Sequence, residues 1–145
     1  MKVVVCSEVQ WRYVRTRKQQ ILGRFPPDWP ILFLQAYVKD RSNAWLPRHE
    51  GAVTYVTVPA LKPVPNSILR RLLDIGAVRA AINLVVSIWI WTVRVMTGFG
   101  GGDVALYVSN IYYGRVLGGM ARRCSVYDCN DNHLAFPFTP GWARG

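Results

Sequence analysis

The sequence predicts an α/β fold, a Rossmann-like parallel sheet with flanking helices. Three observations point there. Short runs of β-branched and aliphatic residues alternate with stretches of helical periodicity. One long helical segment between the third and fourth runs is nearly uncharged. Three of the runs lead directly into polar loops, as strands do at the ligand-binding edge of an open α/β sheet.

The elements follow in order. Val3 to Cys6 is a continuous apolar run and reads as a buried parallel strand. Ser7 to Trp11 is a polar loop. From about Arg12 to Phe25, Val14, Ile21, Leu22 and Phe25 recur at helical spacing, and Pro26-Pro27 stops the helix. Ile31 to Leu34 and Val53 to Val58 read as the second and third strands. Three prolines between Pro59 and Pro65 exclude regular structure. Asn66 or Ser67 then caps a long helix reaching about Met96, which Gly76 divides. Val104 to Val108 is the fourth strand. Tyr112 to Met120 is a short helix weakened by Gly114, Gly118 and Gly119. Ser125 to Cys129 is the fifth strand, and the Pro- and Gly-rich end FPFTPGWARG closes no further element.

The 145 residues suffice for one domain with a real core. Eighteen Lys and Arg face eight acids, a formal charge of +10. Such a field attracts phosphate groups, anionic lipid headgroups or nucleic acid; a solubility bias or the loss of an acidic partner domain produces it equally. No recognisable nucleic-acid motif accompanies the charge, so no nucleic-acid partner is expected. The first residues meet Glu8 and Trp11 too soon for a secretory leader. Three cysteines without framework spacing fit a reduced, cytoplasmic compartment. Cys124, Cys129 and His133 lack a standard zinc spacing and a fourth ligand, so no metal is expected, and the cysteines read as buried strand residues.

Ala80 to Val93 carries no charge over fourteen residues. A spanning helix needs about twenty apolar residues, and Arg79 and Arg94 bound this stretch, so it is not read as transmembrane. Arg79, Asn83, Ser87 and Arg94 fall on one narrow stripe, leaving a very wide apolar face. An interfacial helix and a core helix covering the sheet both fit this pattern.

Candidate chemistry lies in three strand-end loops, which the parallel arrangement brings to one edge. The first holds Glu8, one of just two Glu, suited to acceptor hydroxyls, and Trp11, suited to stacking on a sugar face or to packing at the start of the helix. The second holds Asn110 and Tyr112. The third holds Asp128, Asp131, Asn132 and His133. A carboxylate beside an imidazole fixes its tautomer and raises its basicity, as a base taking a proton from a sugar hydroxyl requires. Asp128 and Asn130 serve equally as turn caps. The basic helix (Arg12, Arg15, Arg17, Lys18) reads as a phosphate contact or as a solvated face. GFGGG precedes a strand instead of following one, so it reads as a turn and not as a phosphate cradle.

The opening VVVCSEVQWRYVRTRKQQILGRF with PILFLQ resembles the start of bacterial GT-B glycosyltransferases of the family 1 and family 4 kind. There a first strand, a loop with Trp, a helix with a Gln-Gln pair and a second strand follow one another. SVYDCNDNHLAFPFTPGWA resembles the same family's Tyr-Asp stretch after the fifth strand, and the spacing between the two segments matches. The resemblance covers nearly the whole chain. It implies transfer of a sugar from a nucleotide-sugar donor to a glycan or lipid-linked acceptor, without a further cofactor, in cell-envelope polysaccharide synthesis. The matching positions are Glu8, Trp11, Arg15, Gln19, Gln20, Tyr127, Asp128, Asp131, Asn132 and Phe136. The family's donor site carries a Glu-x7-Glu pattern, which a chain with Glu only at 8 and 50 does not contain. Residues 1–145 are therefore expected to be one N-terminal, acceptor-side domain, with the donor-binding C-terminal domain absent. The expected location is cytoplasmic, peripheral on the inner face of the membrane. The alternative is a non-enzymatic, basic membrane or interaction module on the same scaffold.

Overall fold

The computed structural model describes residues 1–13, 17–39, 43–59, 67–109, 113–120 and 122–128, with backbone alone at 67–70 and 114–115. These residues form a small α/β domain with a largely parallel, Rossmann-like sheet. The six strands are β1 (Lys2–Ser7), β2 (Ile31–Ala36), β3 (Arg48–Glu50), β4 (Val53–Val58), β5 (Val104–Val108) and β6 (Cys124–Tyr127). Their order across the sheet is β3-β4-β2-β1-β5-β6, parallel throughout except for the edge strand β3. Val3 sits level with Ile31 of β2 on one side and Ala105 of β5 on the other. The central strands are rich in Val, Ile and Leu and buried on both faces, the usual state of parallel strands covered by helices.

Side chains alternate between two cores. Val4, Cys6, Leu32, Leu34, Val56 and Val58 face helix α3 (Gly76–Met96) and the short α4 (Gly114–Leu117). Val3, Val5, Phe33, Tyr55 and Tyr107 face the other way, over Leu22 of α1 (Arg17–Leu22) and the half-buried Trp11, Phe25 and Trp29. From β1 the chain moves outward through β2 and β4. It then crosses back through α2 (Ser67–Asp74) and α3 to β5, on the far side of β1. The order reverses between β1 and β5, where an open α/β sheet leaves its ligand crevice at the carboxyl edge.

Several expected bounds shift. Trp11 to Tyr13 form a turn instead of opening the first helix, with the Tyr13 N–H donating to the Gln10 carbonyl at 3.2 Å, and among the described residues the helix is Arg17–Leu22. Phe25 lies beyond the helix end, edge-on to Trp29 at 5.7 Å. The final helix shrinks to Gly114–Leu117, consistent with the poor helical propensity of Gly118 and Gly119. The last strand runs Cys124–Tyr127 at the sheet edge, so Cys124 is exposed and not buried as expected, whereas Cys6 is buried. Strand β3 was not anticipated: Arg48-His49-Glu50 offers no apolar residue, and it forms through a two-residue hairpin with Gly51 at φ +60°.

Helix α3 separates from α2 at Gly76, as the sequence predicts, and ends at Thr97. Gly98 at φ +78° donates to Val95, while Phe99 donates back to the Arg94 carbonyl and is itself buried. This left-handed glycine cap satisfies the helix's last carbonyls. Of the predicted polar stripe, Arg94 is buried, while Arg79, Asn83 and Ser87 are partly exposed. Arg94 is 4% exposed and its guanidinium donates to the Phe99 carbonyl at 3.0 Å and the Gly101 carbonyl at 3.2 Å. Val86, Ile90 and Val93 are buried beside it on the sheet, and the Trp89 indole donates to the Thr57 carbonyl at 3.2 Å. The helix thus covers the sheet with Arg94 and part of its apolar surface, and turns the remaining apolar surface outward.

Candidate functional site

The carboxyl edge beside β1 is built from buried polar side chains. Gln35, at the end of β2, is 2% exposed. Its carbonyl accepts the Trp11 backbone N–H at 3.0 Å, and its amide donates to the Thr57 hydroxyl at 3.0 Å. Thr57 in turn accepts the Ala44 N–H at 2.8 Å. Gln10 donates to Asn43 at 3.0 Å, and the Gln19 amide donates to the carbonyls of Gln10 and Trp11. The loop after β1 is therefore clamped by β2, α1 and the segment after β2. Every bond in the clamp lies where an unsatisfied group costs about 1–3 kcal/mol.

Glu8 sits at the reversal point. One carboxylate oxygen pairs with the ammonium of Lys18, which is almost fully buried, and the other accepts the Ser109 hydroxyl at 3.1 Å. The Ser109 backbone N–H donates to the Cys6 carbonyl at 3.1 Å, so one residue bridges the ends of β1 and β5. Asp128, one residue past β6, accepts the Tyr107 hydroxyl and lies 3.7 Å from the Arg17 guanidinium. Desolvation, and then the bond to Asp128, raise the Tyr107 phenol well above its ordinary value. Burial pushes the Cys6 thiol up to about 12, so it is no nucleophile at neutral pH. Burial also raises the Tyr113 phenol, whose hydroxyl has no hydrogen-bond partner among the described residues.

Of the predicted site residues, Glu8, Trp11 and Asp128 do converge on this edge. Arg15, Asn110, Tyr112, Asp131, Asn132 and His133 lie outside the described residues. Trp11 packs edge-on against Phe33, ring centroids 5.2 Å apart, so the packing role holds for much of its surface. Asp128 engages Tyr107 and Arg17, and the turn it was also expected to cap lies outside the described residues. The basic helix is no solvated face at Lys18 and Gln19, which are 3% and 8% exposed. The sequence does not single out Gln35, Thr57 or Tyr107, and it offers Lys18 as a phosphate contact, not as the partner of Glu8. Each ends a strand or lies on α1, but its partner lies in another element, which periodicity does not report.

Outside the clamp, two clefts open on the α1 side. One of about 730 Å³ is lined by Trp11, Arg12, Tyr13, Gln20 and Glu50 among others. The next, of about 510 Å³, shares Arg12 and Tyr13 and adds Gln10, Gln35 and Tyr55. Arg12 pairs with Glu50 at 2.9 Å between them. Past β2, Tyr37 and Trp45 stack at 5.8 Å and are both exposed, an aromatic pair the sequence reading also missed. No cluster of three or more metal-ligating side chains occurs among the described residues. The chain matches no protein-family model, no curated protein and no solved structure.

Proposed function

We propose that this chain is the acceptor-side domain of a GT-B-type glycosyltransferase. It transfers a sugar from a nucleotide-sugar donor to a glycan or lipid-linked acceptor in cell-envelope polysaccharide synthesis, on the cytoplasmic face of the membrane. The observation that carries the proposal is the meeting of three distant strand ends. Glu8 and Ser109 bond directly across the sheet, and Asp128 joins Tyr107 on the same edge. The resemblance to the glycosyltransferase family falls on these same segments. Clefts lined by Trp, Tyr, Gln and Arg beside the edge suit a sugar, whose apolar faces stack on rings and whose hydroxyls bond to amides.

In this scheme Glu8 and Asp128 are positioned carboxylates with their charge already compensated. Asp131 and His133 remain the proposed acid–base pair on the acceptor hydroxyl. Donor binding falls to a further domain. A panel of nucleotide sugars offered to the full-length enzyme, with nucleotide release as readout, tests this. Asp131→Asn and His133→Ala are expected to lower turnover while leaving the fold intact. Unchanged transfer in both variants refutes their roles, and no release from any donor refutes the activity.

A second reading is supported by α3, whose outward apolar surface suits a non-enzymatic membrane or interaction module. By length and composition this helix is long and apolar enough to cross a membrane. Sugar transfer by the full-length protein separates the two.

A further inference from the structure

We propose that the outer face of α3 is an interfacial membrane anchor that lies in the plane of an anionic bilayer. The helix is amphipathic in the inverted sense. Its buried arginine faces the sheet, while Leu84, Ile88, Trp91 and Val95 are 61%, 55%, 63% and 50% exposed. These four recur at helical spacing and form one stripe. Ile75 and Leu72, at the junction with α2, are also about half exposed. From Leu84 to Val95 the stripe is about 16 Å long at ~1.5 Å rise per residue. A contiguous exposed apolar patch of this kind marks an interaction surface. A cleft of about 520 Å³ between α3 and α4, lined by Ile90, Trp91, Arg94, Val116 and Met120, prolongs it sideways.

Charge selects the occupant. Apart from the buried Arg94, the sequence from Ser67 to Met96 holds three arginines and one acid, within a chain of net charge +10. A second copy would bring two such surfaces together against their own repulsion. An anionic lipid surface complements them. Trp91 near the middle of the stripe suits the boundary between headgroups and acyl chains. The helix lies on the bilayer instead of crossing it, because Val86, Ile90 and Val93 are sealed against the sheet. Drawing the whole helix into lipid would uncover Leu34, Val56 and Val58.

The anchor has a geometric consequence. Strand β4 ends at the carboxyl edge and β5 starts at the opposite one, so α3 begins beside the polar edge and runs away from it. A protein resting on this face holds its carboxyl edge alongside the lipid surface. On the glycosyltransferase reading, that lets a lipid-linked acceptor reach the edge without leaving the membrane. The anchor itself does not depend on that reading, and its test contains no sugar-transfer step.

The test is flotation of the 145-residue chain with phosphatidylcholine vesicles and with vesicles rich in phosphatidylglycerol. The chain is expected to float with the anionic vesicles at low salt, less so as salt rises, and to be released by an alkaline carbonate wash. Changing Leu84, Ile88 and Trp91 together to Gln should lower partitioning by at least about tenfold, since each buried large apolar side chain contributes on the order of one tenfold step. Circular dichroism and the urea midpoint of this variant should stay near wild type, because the three positions are exposed. Quenching of Trp91 by brominated lipid, read as wild type minus Trp91→Phe, should place the ring at the interface. Failure to float at low salt, or equal flotation of the folded triple variant, overturns the proposal. Resistance to the carbonate wash overturns it in favour of a spanning helix. Self-association that the triple substitution abolishes, without vesicle binding, assigns the face to a second copy instead.

Discussion

The carboxyl edge and the outer face of α3 invert each other. At the edge, polar side chains are buried and bonded: Gln35, Thr57, Ser109 and Lys18 are each less than 5% exposed. On α3, large apolar side chains stand in solvent, with Trp91 and Met96 more than 60% exposed. A chain selected for stability alone would exchange the two environments. The edge holds its polar groups because they fix a loop and two carboxylates at the reversal point of the sheet. On the proposed reading, the helix keeps its apolar face for a lipid surface. The two regions teach that burial pattern, more than residue type, marks where this fold departs from stability for another purpose.

The largest expected contrast lies within α3. Val93→Asp places a charge against the sheet and should cost about 4 kcal/mol or more, leaving the chain unfolded. Ile88→Asp, on the outer face of the same helix, should stay within about 1 kcal/mol of wild type. Urea unfolding followed by far-ultraviolet dichroism measures both. Similar costs would remove the distinction between the faces.

At the edge, Glu8→Gln strands the buried Lys18 ammonium. A loss of about 2–3 kcal/mol is expected, below the ~3–5 kcal/mol of a fully buried pair because Glu8 is one-third exposed. Adding Lys18→Met should recover at least half of that loss in a double-mutant cycle. If the double variant is no better than Glu8→Gln, the pair is not the partner that matters. Gln35→Leu should cost about 2 kcal/mol, since it leaves the Trp11 N–H and the Thr57 hydroxyl each short of a partner.

A smaller effect is expected with pH. Cys6, Tyr107 and Tyr113 are all raised by burial, and each is neutral when protonated. The folded state therefore keeps protons that the unfolded chain releases near pH 8.5 for Cys and about 10 for Tyr. Their contribution is complete below those values and declines as pH rises through them toward the folded values. The thermal midpoint should fall on going from neutral to strongly alkaline buffer. Tyr113→Phe should lessen the fall and leave the neutral midpoint equal or higher, because its hydroxyl has no partner among the described residues. The smallest effect belongs to Arg12→Gln. Its pair with Glu50 is exposed, and no change in the urea midpoint is expected.

Much of the fold was legible because it rests on local pattern. Four strands declare themselves as apolar, β-branched runs, and Gly76 breaks the long helix where expected. Strand β3 was not legible, since a short exposed edge strand carries no apolar signal. The α3 stripe of Arg79, Asn83, Ser87 and Arg94 was visible, but its direction was not. Periodicity fixes which residues share a face, and only tertiary packing decides which face turns inward. Glu8, Trp11 and Asp128 could be found as polar or aromatic residues beside strand ends. Their pairings with Lys18, Gln35, Ser109 and Tyr107 could not, because those bonds join elements 10 to 101 residues apart.

The most direct measurement offers the full-length protein a panel of nucleotide sugars with two acceptors, a soluble glycan and the same glycan on a lipid in phosphatidylglycerol vesicles. Transfer to both acceptors is predicted. The Leu84, Ile88 and Trp91 to Gln variant should raise KM for the lipid-borne acceptor alone and leave kcat and the soluble acceptor unchanged. No transfer to either acceptor from any donor would contradict the account, and so would a variant that loses both activities while remaining folded.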